Sequence, residues 1–144
     1  MVEPAILGPI DALLAPVVEY VVLLLVLVNL VTRYLASRRH QRQGQDGPDA
    51  VSRYWPHELS NVALVLGSFY FLTLDHHSGI VLSVLVIGTV LTDFFEFEGR
   101  LVEARQDMPI EAPKGAIAGS LIVTAYAAYV ALFFLIADVW DAIV

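Results

Sequence analysis

Four apolar stretches, separated by short polar stretches, constrain this chain more than any other feature. They cover about residues 17–36, 57–74, 78–97 and 116–140. A membrane-spanning helix needs roughly 20 mostly apolar residues, and residues 21–28 at the centre of the first stretch have no polar side chain. The chain is 58% hydrophobic, against about 45–50% for a soluble domain. The sequence therefore predicts an all-α polytopic membrane protein, with four transmembrane helices in one bundle over residues 1–144.

The second and third stretches are short in their apolar parts, 59–74 and 79–92. Each part has about 15 residues, or about 23 Å at 1.5 Å per residue, less than the roughly 30 Å hydrocarbon core. We expect flanking residues to complete both spans. The alternative is an intramembrane hairpin that never crosses the bilayer.

The basic residues predict the orientation of the spans. Every Arg and Lys lies in or beside the polar stretches at about 37–56 and 98–115. Cytoplasmic loops carry the excess of basic residues, so both loops are predicted inside, with the N-terminus and the C-terminus outside. The first loop is expected to be mobile because Gly and Pro interrupt a strongly polar segment.

The third helix is predicted to continue into the cytoplasm as an amphipathic extension. Its expected apolar face has the spacing of three and four residues that is typical of a helix and consists of Phe94, Phe97, Leu101, Ala104 and Met108. Pro109 is expected to end it.

Composition excludes several classes of function. The chain has no cysteine, which excludes disulfides and thiolate metal sites. The net charge of −7 argues against a nucleic-acid partner, since such surfaces concentrate Lys and Arg. The N-terminus lacks the positive region of a signal peptide, so the first stretch is expected to remain as an anchor.

One candidate site lies at the cytoplasmic ends of spans two and three. In a straight hairpin, His57 would face Glu96 and Asn61 would face Asp93, with Glu58 nearby. A histidine among acids could bind a divalent cation or pass a proton.

A hydrated interface is the alternative reading of these inner residues. In it, His57 pairs with Glu96, and Arg53 and Arg100 neutralise the acids. The two readings make different use of the same residues, and the sequence alone leaves both open.

A second candidate is the turn Asp75-His76-His77. Imidazole and carboxylate groups ligate Zn and Cu, and an exposed histidine pair can respond to external pH. The alternative is a polar turn that caps a helical hairpin. No cofactor is predicted for this chain.

Small residues recur on the predicted membrane helices. Such residues allow close approach of helix backbones in lipid, and they could form a dimerisation face or pack inside the bundle. They are Ala116, Ser120, Thr124 and Ala128, with Gly115 and Gly119 beside them, and Ala63 and Gly67 in the second span.

The chain resembles small four-helix membrane proteins of haloarchaea that have no assigned function. The resemblance depends on residues 71–79 (FLTLDHHSG), on residues 91–98 (LTDFFEFE), and on an acidic composition with one lysine. It covers nearly the whole chain. It implies a location in the cell membrane and nothing about activity.

The sequence favours a non-enzymatic accessory, scaffolding or regulatory subunit of the cell membrane. No ionisable residue lies near the middle of a span and no central proline breaks one, whereas pumps and carriers use such features. Its expected surroundings are the lipid bilayer and either further copies of itself or another membrane protein. One alternative is a small oligomeric channel or carrier, its pore lined by Asn29, Ser120 and Thr124. Another is a metal-dependent membrane enzyme built on the inner residues.

Overall fold

Every regular element in the computed structural model, which describes residues 4–133 and 137–143, is helical. The all-α prediction is therefore confirmed. The elements are α1 (Pro4–Leu14), α2 (Val18–Gln45), α3 (Trp55–Leu74), α4 (His76–Arg105), α5 (Lys114–Leu132) and α6 (Ala137–Ile143), with 3-10 turns at Ala15–Val17 and Pro48–Ala50.

Three helical segments are long and apolar enough to cross a membrane. They are Gly8–Gln45, α4 and α5. The predicted second span, α3, has 20 residues but carries polar side chains in its first two turns, and it falls outside this set.

The helices α2, α3, α4 and α5 pack in a closed ring, in which each contacts two neighbours. α2 lies against α3 and α5, and α4 lies against the same two helices. Valine, leucine, phenylalanine and alanine from all four meet in the middle, among them Val26, Leu64, Val86 and Val123. Burial of this apolar cluster orients the inward face of each helix.

The hairpin between α3 and α4 is closed by one residue, Asp75. Its backbone N–H donates to the carbonyl of Phe71 at 2.9 Å, and its carboxylate accepts from the N–H of Ser78 at 3.2 Å. A Cβ on Gly79 would lie 2.2 Å from the Cα of Leu72. The tight turn therefore brings the two helix backbones so close that only glycine fits there.

The prediction of a mobile loop over 37–56 is wrong for the first half of that stretch, because α2 continues to Gln45. Ser37 and His40 follow Arg33 at helical spacing, and all three are buried. The Nε2 of His40 is 2.9 Å from the carbonyl of Ser52, which ties the returning chain to the helix. Polarity predicted a loop, but these polar side chains face other protein groups.

The predicted extension of the third helix is present, since α4 runs to Arg105. Phe97 and Ala104 are buried with Val51, as expected for an apolar face. Phe94 and Met108 are exposed, however. The buried face is shifted because it includes a charged residue, Arg100, that the apolar pattern excluded.

The fourth predicted span, 116–140, is described only in part. α5 ends at Leu132 and α6 begins at Ala137, and residues 134–136 lie outside the described part. At the other end of the chain, α1 is held near α3 by a hydrogen bond of 2.6 Å from the hydroxyl of Tyr70 to Asp11.

Candidate functional site

A buried polar cluster lies where all four helices of the ring meet. It contains residues that a packed apolar interior would normally exclude unless they bond to one another. We call this set the polar cluster: Asn29 and Arg33 of α2, His57, Ser60 and Asn61 of α3, Asp93 of α4, and Ser120 of α5.

Arg33 occupies the centre of the polar cluster and is only 2% exposed. Its Nη1 donates to the Oδ1 of Asn29 at 2.8 Å and to the hydroxyl of Ser120. Its Nε lies 3.8 Å from the Oδ1 of Asp93. Its Nη2 has no hydrogen-bond partner among the described residues. The guanidinium thus joins α2 to α4 and α5, and two of its nitrogens, Nη2 and Nε, have no hydrogen-bond partner among the described residues.

Asp93 connects α4 to α3. Its Oδ2 accepts from the Nε2 of His57 at 2.8 Å and from the Nδ2 of Asn61 at 3.0 Å. Asn29 completes the network, because its Nδ2 donates to the hydroxyl of Ser60 at 3.0 Å and to Asn61 at 2.7 Å. One continuous set of hydrogen bonds therefore links all four helices.

His57 can keep its hydrogen bonds whether it is neutral or protonated. Its Nδ1 lies 2.9 Å from the hydroxyl of Thr32, and that hydroxyl lies 3.0 Å from the carbonyl of Asn29. Thr32 can donate to a neutral ring, or it can accept from a charged ring and donate to the carbonyl. Either state leaves Nε2 as the donor to Asp93.

The predicted pairing of spans two and three is correct at one position and wrong at another. Asn61 faces Asp93, as expected. His57 bonds to Asp93 and not to Glu96. Glu96 lies about 60° around the helix from Asp93, faces α5, and accepts from the N–H of Ala116 at 2.6 Å.

The inner candidates for a metal site are therefore distributed over separate contacts. Of His57, Glu58, Asp93 and Glu96, only His57 and Asp93 come together. Glu58 contacts Arg53 at 3.4 Å. Among residues 4–133 and 137–143, no three His, Asp or Glu side chains are arranged to hold an ion.

The turn Asp75-His76-His77 has the arrangement of a hairpin cap. Asp75 bonds to the backbone at the start of α4, while His76 and His77 are exposed. The two imidazoles and the carboxylate are not assembled into a site within the described part of the chain.

Arg53 and Arg100 were expected to neutralise the acidic residues near His57. Both also contact other groups. Arg53 contacts Glu58 and also Glu98, at 3.1 Å, and it lies 4.2 Å over the ring of Phe97. Arg100 contacts neither Asp93 nor Glu96 by a hydrogen bond and donates instead to the Nδ1 of His40 at 3.0 Å.

Sequence reasoning missed the role of Arg33, which it grouped with the other basic residues in or beside the first polar stretch. A signal was present. Asn29 and Arg33 are four residues apart, on the same face as the buried Val22 and Val26. A polar pair in register with the core-facing positions indicates an inward direction.

His40 and Arg100 form a second buried contact, beyond the predicted spans. The Nε2–H of His40 donates to the Ser52 carbonyl, and its Nδ1 accepts from Arg100, so both ring nitrogens are used by the neutral form. Burial, followed by the positive charge of Arg100, lowers the pKa of His40 from 6.5 to about 4. This histidine is therefore neutral at physiological pH.

Several of the small residues pack within the chain. A Cβ on Gly119 would lie 2.6 Å from the Oγ1 of Thr89, and one on Gly67 would lie 2.7 Å from the Cδ1 of Leu25. Ala116 and Ser120 are buried. Gly115 approaches Glu96 and Thr92, while Ala63, Thr124 and Ala128 are half-buried.

The predicted pore lining is wrong for two of its three residues. Asn29 and Ser120 are buried inside the chain, at 2% and 4% exposure, where both bond to Arg33. Side chains that bond to the polar cluster cannot line a pore between copies of the chain.

Comparison with known proteins gives a family and nothing finer. A family model described as Domain of unknown function (DUF7313) matches residues 3–144. No curated protein and no solved structure matches the chain.

Proposed function

This chain belongs to the DUF7313 family, and we propose that it is a four-span integral membrane protein of the cell membrane that acts as a non-enzymatic accessory, scaffolding or regulatory subunit. One observation carries the proposal. The ring of helices α2–α5 exposes apolar side chains and encloses charged and polar ones, the reverse of a soluble domain.

The exposed apolar side chains come from every helix of the ring. A lipid environment is favoured where large apolar groups are exposed and ionisable groups face the interior. Examples are Leu24 and Val31 of α2, Leu59, Val62 and Leu66 of α3, Val84 and Leu91 of α4, and Leu121 and Ile122 of α5.

The exposed side of α3 supports a fourth span. The polar residues that lower its apolar character, His57, Ser60 and Asn61, are buried against the other helices. Its 20 residues give about 30 Å, enough to cross the hydrocarbon core. In this proposal the average composition of α3 understates how apolar its lipid-facing side is.

Labelling of single cysteines tests the topology directly, because the chain has no cysteine of its own. A membrane-impermeant maleimide applied to intact cells should label His77→Cys and should not label Gln45→Cys or Asp107→Cys. The last two should react after permeabilisation. Labelling of Asp107→Cys in intact cells would contradict the proposed orientation and the four-span count.

The polar cluster supports a scaffolding role over catalysis. Its groups bond mainly to one another and link four helices, and polar contacts of this kind hold membrane helices together. Native mass analysis after extraction in mild detergent tests the subunit role. We expect a complex with further copies or with another membrane protein, and a lone monomer would contradict the proposal.

We also propose an origin in a salt-rich cytoplasm. The net charge of −7 comes with a single lysine, and Glu98, Asp107 and Glu111 are exposed. Salt screens repulsion between such acids. Unfolding at increasing KCl tests this, with stability expected to rise up to molar salt.

A further inference from the structure

A cavity of about 410 Å³ lies between α2 and the start of α5. Its polar lining comes from Arg33, Ser37, Arg38 and Gln41, and its apolar lining includes Leu30 and Ile117. The lining therefore includes two arginines, a serine and a glutamine, although most of the cavity surface is apolar. The apolar part is continuous with the exposed apolar surface of α2 and α5.

Arg33 supplies the observation that points to a ligand. It is almost completely buried, lines this cavity, and has an Nη2 without a hydrogen-bond partner among the described residues. A buried donor without a partner costs free energy. Because that nitrogen has almost no accessible surface, the guanidinium must rotate slightly towards the cavity before an anion there can accept a hydrogen bond from it.

The charges around the cavity favour an anion. Asp93, 3.8 Å from the Nε of Arg33, offsets part of its charge. Arg38 makes no ion pair within the described residues and adds a full positive charge. α5 begins at Lys114, directly after Pro113 of the cavity wall, so the positive end of its helix dipole adds to the same potential.

The position of the cavity favours a lipid over a free anion. Arg33 and Arg38 lie where α2 passes from its apolar part to its polar end, which is the inner interface in the proposed topology. Basic pockets between helices on the cytoplasmic side bind anionic headgroups. The exposed Val31 and Leu121 provide the apolar surface along which a lipid tail would lie.

We propose that this cavity binds the phosphate group of an anionic membrane lipid. Arg33 and Arg38 hold the phosphate oxygens through charge-assisted hydrogen bonds, and Ser37 and Gln41 add neutral donors. The lipid fills the space between α2 and α5 and joins them at their inner ends. The inference rests on the proposed membrane topology, which the cysteine labelling tests separately.

Lipid binding to the purified full chain in neutral detergent tests the site. The probes are phosphatidylglycerol, phosphatidylcholine and inorganic phosphate, and the readouts are bound lipid by native mass spectrometry and the shift in unfolding temperature. Phosphatidylglycerol should bind and stabilise the chain. Arg38→Gln should weaken that binding about fivefold, whereas Arg42→Gln, the same charge change one turn further along α2, should have less than about a twofold effect.

A second pair of variants tests the cavity by shape. Ile117→Trp fills the cavity and should abolish the bound lipid, while Ile122→Trp, at an exposed position of α5 outside the cavity lining, should retain it. Equal losses in Arg38→Gln and Arg42→Gln would overturn the proposal, since they would indicate general surface charge. Competition by inorganic phosphate at the concentration of the lipid would assign the site to the free anion and would also overturn it.

Discussion

Arg33 and Asp93 form an ion pair between α2 and α4 that is almost fully enclosed. Nε and Oδ1 are 3.8 Å apart, and the two side chains are 2% and 7% exposed. At that length the pair is an electrostatic contact more than a hydrogen bond. The shorter bonds, from Arg33 to Asn29 and from Asp93 to His57, hold the two groups in place.

Removal of one partner of this pair should be costly. Asp93→Ala leaves the charge of Arg33 uncompensated, and we expect the free energy of unfolding to fall by about 3–5 kcal/mol. The double variant Arg33→Met with Asp93→Leu should lose less than the sum of the single variants. Denaturant unfolding in detergent measures all of them, and strictly additive losses would contradict a coupled pair.

The stability of the contact between the ends of α2 and α4 should depend on pH through His40. Its folded pKa of about 4 is below the ordinary 6.5, so between those values the unfolded chain takes up a proton that the folded chain does not. The contribution of neutral His40 to the free energy of unfolding is complete above pH 6.5. It falls by on the order of 3 kcal/mol as the pH drops to 4.

Thermal unfolding measured from pH 7 to pH 4 gives the slope of stability against pH. His40→Gln should flatten it, while His77→Gln, which replaces an exposed imidazole, should keep the slope of the unmodified chain. A slope that is the same in all three proteins would assign the pH dependence to other groups.

The close approach of α3 and α4 should not tolerate one added methyl group. Gly79→Ala would place a Cβ 2.2 Å from the Cα of Leu72, and a backbone atom cannot move aside as a side chain does. We expect a loss of about 3 kcal/mol. Gly88→Ala, on the same helix with nothing within 4 Å of its added Cβ, should be neutral or stabilising by up to about 1 kcal/mol.

The protection of α1 from amide exchange should depend on one hydrogen bond to α3. Tyr70→Phe removes the donor to Asp11, and amide exchange over 4–14 should increase about tenfold, the change expected for a bond to a charged group. Exchange in α2 should stay the same. Tyr129→Phe, which removes an exposed hydroxyl, is the matched control and should leave α1 unchanged.

The helices and the apolar spans were predictable because they depend on local patterns. The apolar centre of α2, the continuation of α4 beyond the apolar residues, and the contact of Asn61 with Asp93 follow from composition and helical periodicity. These features need no knowledge of which helix lies beside which.

The buried polar residues were harder to predict because their direction depends on tertiary contacts. Arg100 and His40 look like surface residues until the ring brings α2 and α4 within reach of each other's long side chains. Glu96 turns away from His57 because α5 offers it the N–H of Ala116. In the proposed lipid-facing arrangement, polar side chains mark the inside of the ring, so rules made for soluble helices assign these faces in reverse.

The ion pair also has a consequence for the order in which the chain is made. α2 carries Arg33 into the proposed membrane region before Asp93 of α4 and Ser120 of α5 have been synthesised. Until then, the guanidinium and the side chains of His57 and Asn61 lack partners that the finished chain provides. The polar cluster can therefore close only after the second half of the chain has been made.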